Sequence, residues 1–484
     1  MAICNQMHEG RDMAAEHDVP EHTEERNEHS TAERTEARTG KGTDAGTGMG
    51  TEARTGARIR EAVGTASIAG SGSLSRALTL VFAIAAGVAV ANVYLAQPLL
   101  VTMGHDLGLA AGTVGVVVTL TQVGYGFGLF LLVPLGDLVD RRRLLVGQFA
   151  LLAAALAGVG LAGNAASLFV AMIAVGLLAV VTQAVVAYAA ALAAPAQRGR
   201  VVGSVTSGVV TGILLARTVS GTVADLAGWR AVYLGFAALT LALAGTLYRV
   251  LPRRRDDRVP ASVDTPPSDR KAPPSYRKLL VSTVTLFVEE RLFRVRALFA
   301  LLIFAAFSTL WSSVALPLSE PPLSLSHTAI GAFGLAGAAG ALGAIPAGRL
   351  SDRGHANRVT GIALVLLTLS WLPLAFTRQS LWALVLGTIV LDLAVQAVHV
   401  TSQTLIHPLR PDAGSRLIGG YMIFYSIGSA GGAIASTTLY AAAGWLAVCA
   451  LGAAFGALAL LVWVLELVRA HRMEGRSAAP PVTP

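Results

Sequence analysis

The chain has 484 residues, of which 54% are hydrophobic and 14% charged, whereas an ordinary soluble domain carries about 25% charged residues. With a mean hydropathy of +0.62, this composition excludes a soluble globular protein and leaves no room for a large soluble domain. The formal net charge of +8 would suit a nucleic-acid partner only if the basic side chains shared one exposed face, and here they fall in loops between apolar runs.

Residues 1–75 are rich in Thr, Glu, Ala, Arg and Gly with almost no apolar periodicity. Such a segment cannot bury enough surface to offset its ordering entropy, so it is expected to be a disordered tail. It lacks the early apolar core of a secretory signal, so the first apolar run is expected to remain in the membrane; Met13 and Met49 offer later starts of translation. Of the two cysteines, Cys4 lies in this tail and Cys449 in an apolar run. That pattern predicts neither a disulfide framework nor a metal centre.

A helical crossing needs about 20 apolar residues. Twelve such runs follow, at about 78–101, 112–135, 144–163, 167–193, 201–224, 229–250, 297–317, 327–347, 359–376, 380–405, 416–440 and 444–467, numbered here as spans 1 to 12. Basic residues alternate between loops: Arg141, Arg142 and Arg143; Arg198 and Arg200; Arg349, Arg353 and Arg358; Arg410 and Arg416. The intervening loops hold only Arg230 and Arg378. By the positive-inside rule both termini face the cytoplasm, which predicts a multi-pass protein of the cytoplasmic membrane. Between spans 6 and 7, residues 251–296 carry Arg253 to Arg255 and then Pro266, Pro267, Pro273 and Pro274, as a linker does. Its last part, 279–295, is expected either to lie along the inner membrane surface as an amphipathic helix or to form a short cytoplasmic one. Residues 471–484 read as a second cytoplasmic tail.

The two sets of six spans repeat each other. Pro134, Gly136, Asp140 and Arg141 reappear as Pro346, Gly348, Asp352 and Arg353 (348 − 136 = 212). Gln183, Ala184 and Val185 reappear as Gln396, Ala397 and Val398 (396 − 183 = 213), and Arg200, Gly203, Gly212, Gly228 and Trp229 as Arg416, Gly419, Gly428, Gly444 and Trp445 (416 − 200 = 216). The fold expected is therefore an all-α membrane protein, twelve transmembrane helices in two pseudo-symmetric six-helix bundles, 76–250 and 297–470. Parallel repeats with a site at their interface are a recurrent transporter architecture.

On these motifs the chain resembles the major facilitator superfamily over about 76–470. The glycine followed four residues later by Asp-Arg occurs in both halves, and the stretch Asn92 to Leu100 is similar to those of its bacterial drug and metabolite efflux branch. The resemblance implies a conformational latch at Gly136, Asp140, Arg141, Gly348, Asp352 and Arg353; an ordinary cytoplasmic turn is the plainer alternative. Departures from the branch are Arg143 in place of a glycine, Met172 where span 4 of proton-driven exporters carries a base, and Ala216 and Arg217 in the exporter motif of span 5.

Small residues recur every fourth position in span 5 (Ser204, Gly208, Gly212, Ala216, Ser220) and every third in span 8 (Gly331 to Gly343). They allow close backbone approach, and the resemblance implies that these helices face each other between the halves. They are expected either to slide there or to pack statically. Arg217 puts a guanidinium inside a span, and charges inside spans are functional candidates by default.

In span 10, Asp392, Gln396, His399 and Gln403 are spaced four, three and four apart and share one face. Asp392, His399 and Arg217 are the candidates for proton coupling or substrate binding, since a carboxylate in an apolar bundle can exchange a proton near neutrality and histidine titrates there by itself. The alternative is structural, with Asp392 neutralising Arg217. Asn92, Tyr94, Gln97, Gln122, Tyr125, Gln183, Tyr188, Trp311, Gln396, Gln403, Tyr421 and Tyr425 are the expected lining of a substrate cavity. By register Arg217 matches Ala433 and Asp392 matches Ala179, so the charges break the repeat.

The function expected is secondary active transport of a small organic molecule by alternating access, as proton-coupled efflux. Uptake of an organic anion through Arg217 and a non-transporting sensor on the same fold are the alternatives. No Ser-His-Asp, metal-ligand or phosphate-loop pattern is present, so neither enzymatic activity, a cofactor nor a metal is expected. The partners expected are a small-molecule substrate, protons and the lipid bilayer around a monomer, with no nucleic acid.

Overall fold

The computed structural model describes residues 74–136, 139–194, 197–251, 276, 281, 285, 287–410 and 414–477. The expectations for the N-terminal tail, the proline-rich linker and part of the proposed amphipathic segment fall outside these residues. Within them the chain is helical throughout and traces twelve crossings.

Eight helical stretches are long and apolar enough to span, and three of these hold two crossings each. The stretch Arg198–Val250 has 53 residues, about 80 Å of helix at 1.5 Å per residue, against a hydrocarbon core of about 30 Å. It reverses at Gly228, whose φ of 82° is the left-handed conformation that glycine adopts without a steric penalty. The return is fixed by contacts with span 3: Arg230 donates to the Ala162 carbonyl at one end, and Arg142 to the Tyr248 carbonyl at the other. Gly444, the counterpart of Gly228 in the repeat, reverses spans 11 and 12 in the same way with φ 74°. Trp445 then donates to the Leu374 carbonyl at 2.8 Å and Trp463 to that of Asn357 at 3.2 Å, at opposite ends of span 9. The first crossing is the twelfth in the count, as a 16-residue helix Arg76–Ala91 followed by a break and Leu100–Asp106.

That break differs from the continuous helix expected over 78–101. Pro98 has no N–H and disfavours helical conformation in the residue before it. Residues 92–96 form turns whose amides reach back three residues, Tyr94 to the Ala91 carbonyl at 2.9 Å and Gln97 to that of Tyr94 at 3.3 Å, and Gln97–Leu99 is a 3₁₀ turn. Irregular backbone at membrane depth is tolerated where it is buried in protein, and Asn92 to Leu100 are all buried. Span 7 differs at its start: the helix begins at Arg291, inside the range read as linker, and is anchored by Arg291 to Glu466 at 2.8 Å. At the other end of the chain, helix continues to Ser477, into the segment read as a tail.

The end of the molecule at which the described chain starts and finishes is called the terminal end here, and the opposite one the distal end. Glycines weld helices inside each bundle. A Cβ at Gly208 or Gly212 would strike the backbone of Ala83 or Gly87 in span 1, and one at Gly124 or Gly128 that of Ile173 or Leu177 in span 4. In the second bundle Gly428 and Gly432 meet Leu301 and Ala305 of span 7, and Gly340 meets Ile389 of span 10. Gly208 and Gly212 of the span 5 ridge therefore face span 1, while span 5 meets span 8 as expected nearer the distal end, where a Cβ at Gly221 would strike the His327 carbonyl. The glycines of span 8 divide: Gly331 lies on the backbone of Arg217 and Thr218, Gly334 on the Arg217 side chain, and Gly340 and Gly343 on span 10. A three-residue step on a 3.6-residue helix drifts by about 60°, so a line of every third residue wraps from one neighbour to the next.

Candidate functional site

Span 1 is unwound midway along its length, and there it carries Tyr94 and Gln97 to the boundary between the bundles. Gln97 Oε1 accepts from Nε of Arg217 in span 5 at 2.6 Å. The guanidinium carbon lies 3.9 Å from the Trp311 ring centroid, 5.0 Å from that of Tyr94 and 5.8 Å from that of Phe307. A cation over an aromatic face is held by the ring quadrupole, more strongly where water is excluded, and Arg217 is only 3% exposed. Its Nη2 has no hydrogen-bond partner.

Asp392 approaches the same indole from its edge: Trp311 Nε1 donates to its Oδ1 at 3.2 Å. Gly337 in span 8 makes room, since a Cβ there would collide with both the Asp392 carboxylate and Trp311. The acid and the base thus flank one tryptophan without forming a salt bridge to each other. Arg217 belongs to the first bundle, Trp311 and Asp392 to the second.

A second layer lies toward the terminal end. Tyr94 and Tyr425 share a hydrogen bond of 2.8 Å across the bundles, Tyr125 stands edge-on to Tyr425 at 6.2 Å, and Gln183 donates to Tyr125 at 3.5 Å. Phe304 packs against Tyr425 at 4.2 Å and His399 at 5.1 Å. Beyond it, Gln403 donates to Nε2 of His399 at 3.2 Å, so Nδ1 carries the proton and donates to Tyr421 at 3.1 Å. Asp392 and His399 share a helix face, as their spacing predicts, yet stand in different clusters, since seven residues are about 10 Å of helix. Asn92 is buried with neither amide atom partnered, and Gln122 is buried with its Oε1 unpartnered. Gln396 is half-buried, and Tyr188 packs edge-on to Phe82 at 6.0 Å, a contact within the first bundle.

The latch residues sit apart at the terminal end. Asp140 caps the helix that follows it, accepting from the Arg143 amide at 2.8 Å. Asp352 and Arg353 are exposed on a wide turn ending at Gly354 with φ 85°. Gly348 has a Val400 methyl 3.5 Å from where a Cβ would stand, an ordinary contact, and Gly136 is approached at 3.3 Å by the Val133 carbonyl of its own helix. Close approach of another span is therefore not what glycine answers at either position in this conformation.

At the distal end the bundles are tied by residues that the sequence reading passed over. Asp225, ending span 5, accepts from the His327 and Thr328 amides at 3.1 and 2.7 Å and from Nδ1 of His327 at 2.6 Å. Nε2 of His327 is hydrogen-bonded to the Thr102 hydroxyl at 2.5 Å. A carboxylate from one bundle thus caps the first turn of a helix in the other, where free amides and the helix dipole favour negative charge. Around this contact, Thr218 donates to the Gly331 carbonyl at 3.1 Å and Thr438 to that of Gly112 at 3.2 Å. The available signal was Ser326-His327-Thr328 opening span 8, a capping sequence with an acid due opposite.

Comparison with known proteins agrees with this layout. The model of the Major Facilitator Superfamily matches residues 82–340 and 297–483. The chain belongs to the major facilitator superfamily. It is 44% identical over 390 residues to the uncharacterized transporter YgaY of Escherichia coli O157:H7, covering 81% of this chain and 95% of that one. It is 33% identical over 412 residues to the protein named "Probable transporter SCO4007" of Streptomyces coelicolor, covering 83% and 90%. Among solved structures, a bacterial homolog of the human lysosomal transporter Spinster, inward-facing and occupied, superposes with a TM-score of 0.65 at 14% identity, over 80% of this chain and 96% of that one. The protein is a multi-pass membrane transporter of the superfamily.

Proposed function

We propose that this transporter moves a small organic molecule between its two bundles by alternating access, driven by a proton that binds Asp392. The observation that supports this is the carboxylate itself: Asp392 is 5% exposed, receives one hydrogen bond from Trp311, and stands at the boundary between bundles with no cation in salt-bridge contact. A buried carboxylate without a paired cation strongly favours taking up a proton. Each protonation there changes the charge balance across a contact that the transport cycle remakes.

In this conformation the distal end is closed by Asp225, His327 and Thr102, and the loops at Asp140 and Asp352 are on the other end. The latch role of Gly136, Asp140, Arg141, Gly348, Asp352 and Arg353 belongs to the opposite state, in which the terminal end closes. Export by proton exchange is the direction that the resemblance to efflux proteins implies. Uptake of an organic anion is a second reading, favoured by the unpartnered nitrogen of Arg217.

The test is a vesicle assay on the reconstituted protein, in which candidate solutes are scored by their ability to dissipate an imposed pH gradient. Asp392→Asn should insert and melt like the wild type yet leave the gradient intact with every solute that collapses it in the wild type. Unchanged gradient dissipation by the variant would remove Asp392 from the coupling.

A further inference from the structure

Arg217 is an unfinished site. A guanidinium offers five N–H donors in a planar fork, and here Gln97 takes only Nε, at 2.6 Å, while Nη2 is buried and unpartnered. Its three aromatic neighbours, Trp311, Tyr94 and Phe307, turn ring faces to it, and the Tyr94 hydroxyl is engaged by Tyr425. Asp392, the carboxylate that could complete the fork, is instead engaged at the edge of the indole by Trp311 Nε1. An unpaired charge inside a membrane bundle is costly to retain and marks a binding role.

We infer that Arg217 binds the carboxylate of a monoanionic organic substrate with an apolar or aromatic body, and that this anion enters together with the proton on Asp392. The inference rests on the proton-driven transport proposed above, in its second reading of organic-anion uptake, and names its substrate class. A carboxylate matches the planar fork, and the walls of Trp311, Phe307 and Tyr94 suit a flat apolar body, not a sugar. The charge count sets the coupling. Arg217 and ionised Asp392 sum to zero around one indole; adding an anion leaves the buried cluster at minus one, and protonating Asp392 restores neutrality. The other titratable groups facing the cluster are the Tyr94 hydroxyl of span 1 and the Tyr425 hydroxyl of span 11, which bond each other; span 8 lays Gly331 and Gly334, which do not titrate, against Arg217. No bond is made or broken beyond transfer of one proton to a carboxylate oxygen. Tyr94 and Tyr425, with Phe304 behind them, separate this cluster from the terminal end, so entry from that side requires their hydrogen bond to part.

The probes are benzoate and hexanoate, with tetraphenylphosphonium as a cationic counterpart, titrated against the full chain in lipid nanodiscs and read by tryptophan fluorescence and thermal shift. Carboxylate affinity should rise by about tenfold for each unit fall in pH while Asp392 titrates, the slope expected for one proton taken up per anion. Asp392→Asn should bind the carboxylates with no pH dependence, and Arg217→Gln should lose them. Should Arg217→Gln melt early, Arg217→Lys keeps the charge without the fork and should weaken binding while preserving the pH slope. Carboxylates that fail to bind the wild type, or that bind Arg217→Gln and Arg217→Lys equally well, overturn the inference. So does tetraphenylphosphonium binding that strengthens with rising pH through Asp392; that outcome leaves proton-coupled transport standing, which fails only if Asp392→Asn still dissipates a pH gradient.

Discussion

In the first bundle Gly128 lies against the backbone of Leu177, and in the second Gly340 lies against the backbone of Ile389; both members of the second pair are displaced by one interval (340 − 128 = 212; 389 − 177 = 212). Gly212 on Gly87 and Gly428 on Leu301 repeat the other close crossing. The charges do not repeat: Arg217 corresponds to Ala433, and Asp392 to Ala179. Even the reused turn has diverged, with Asp140 capping its helix and Asp352 standing exposed before Gly354. Packing inside a bundle is constrained by backbone contact, where any side chain is too large, and so both copies keep it. The surfaces turned toward the other bundle meet an unlike partner, and each copy is free to supply a different half of one site.

The comparison can be broken first at the glycines. Gly212→Val and Gly428→Val should each cost about 1–3 kcal/mol by overpacking, lowering the melting temperature alike, whereas Gly245→Ala, which meets nothing within 4 Å, should be close to neutral. Unequal losses in the first pair would show that the copies are not mechanically equivalent. A change of comparable size is expected at the distal contact. Asp225→Asn keeps the shape but removes the charge that holds the His327 and Thr328 amides, a loss of about 1.5–3 kcal/mol for bonds to a charged group. Its readout is the distance between spin labels on the distal ends of spans 5 and 8, which should broaden toward longer values; an unchanged distribution would make the contact incidental.

The smallest effect is expected at Asp106, an exposed group inside the first bundle. Trp229 donates to it at 2.8 Å and Arg230 at 3.0 Å, and these hold its pKa below the ordinary carboxylate value, the Trp229 bond foremost. A lowered folded-state pKa contributes stability that is complete above about pH 4 and is lost as pH falls through the lowered value. Asp106→Asn should therefore cost less than about 1 kcal/mol at neutral pH, and its melting temperature should converge with that of the wild type in acid. Trp445, the counterpart of Trp229, donates to the Leu374 carbonyl, so Trp445→Phe should show no such pH dependence.

Much of this was legible along the chain. Apolar length alone gave twelve crossings, because a membrane span must satisfy its backbone internally over a set distance, and Gly228 and Gly444 are the reversals that the repeat marked. The polar stripe of span 10 and the isolated Arg217 were visible because polar groups are conspicuous in an apolar helix. What periodicity could not reveal was which neighbour each face would meet. Span 5 turned Gly208 and Gly212 to span 1 and Gly221 to span 8, and span 8 shared its glycines between two helices. Asp392 came to the edge of Trp311 and Arg217 to its face, while Asp392 and His399, on one stripe, fell into separate clusters. Asp225 carries no signal of its own along the chain; its partner, the N-terminus of span 8, comes from the other bundle. A sequence fixes the spacing of residues along each helix; partners across the interface depend on helix rotation and depth, which only the packing of all twelve helices decides.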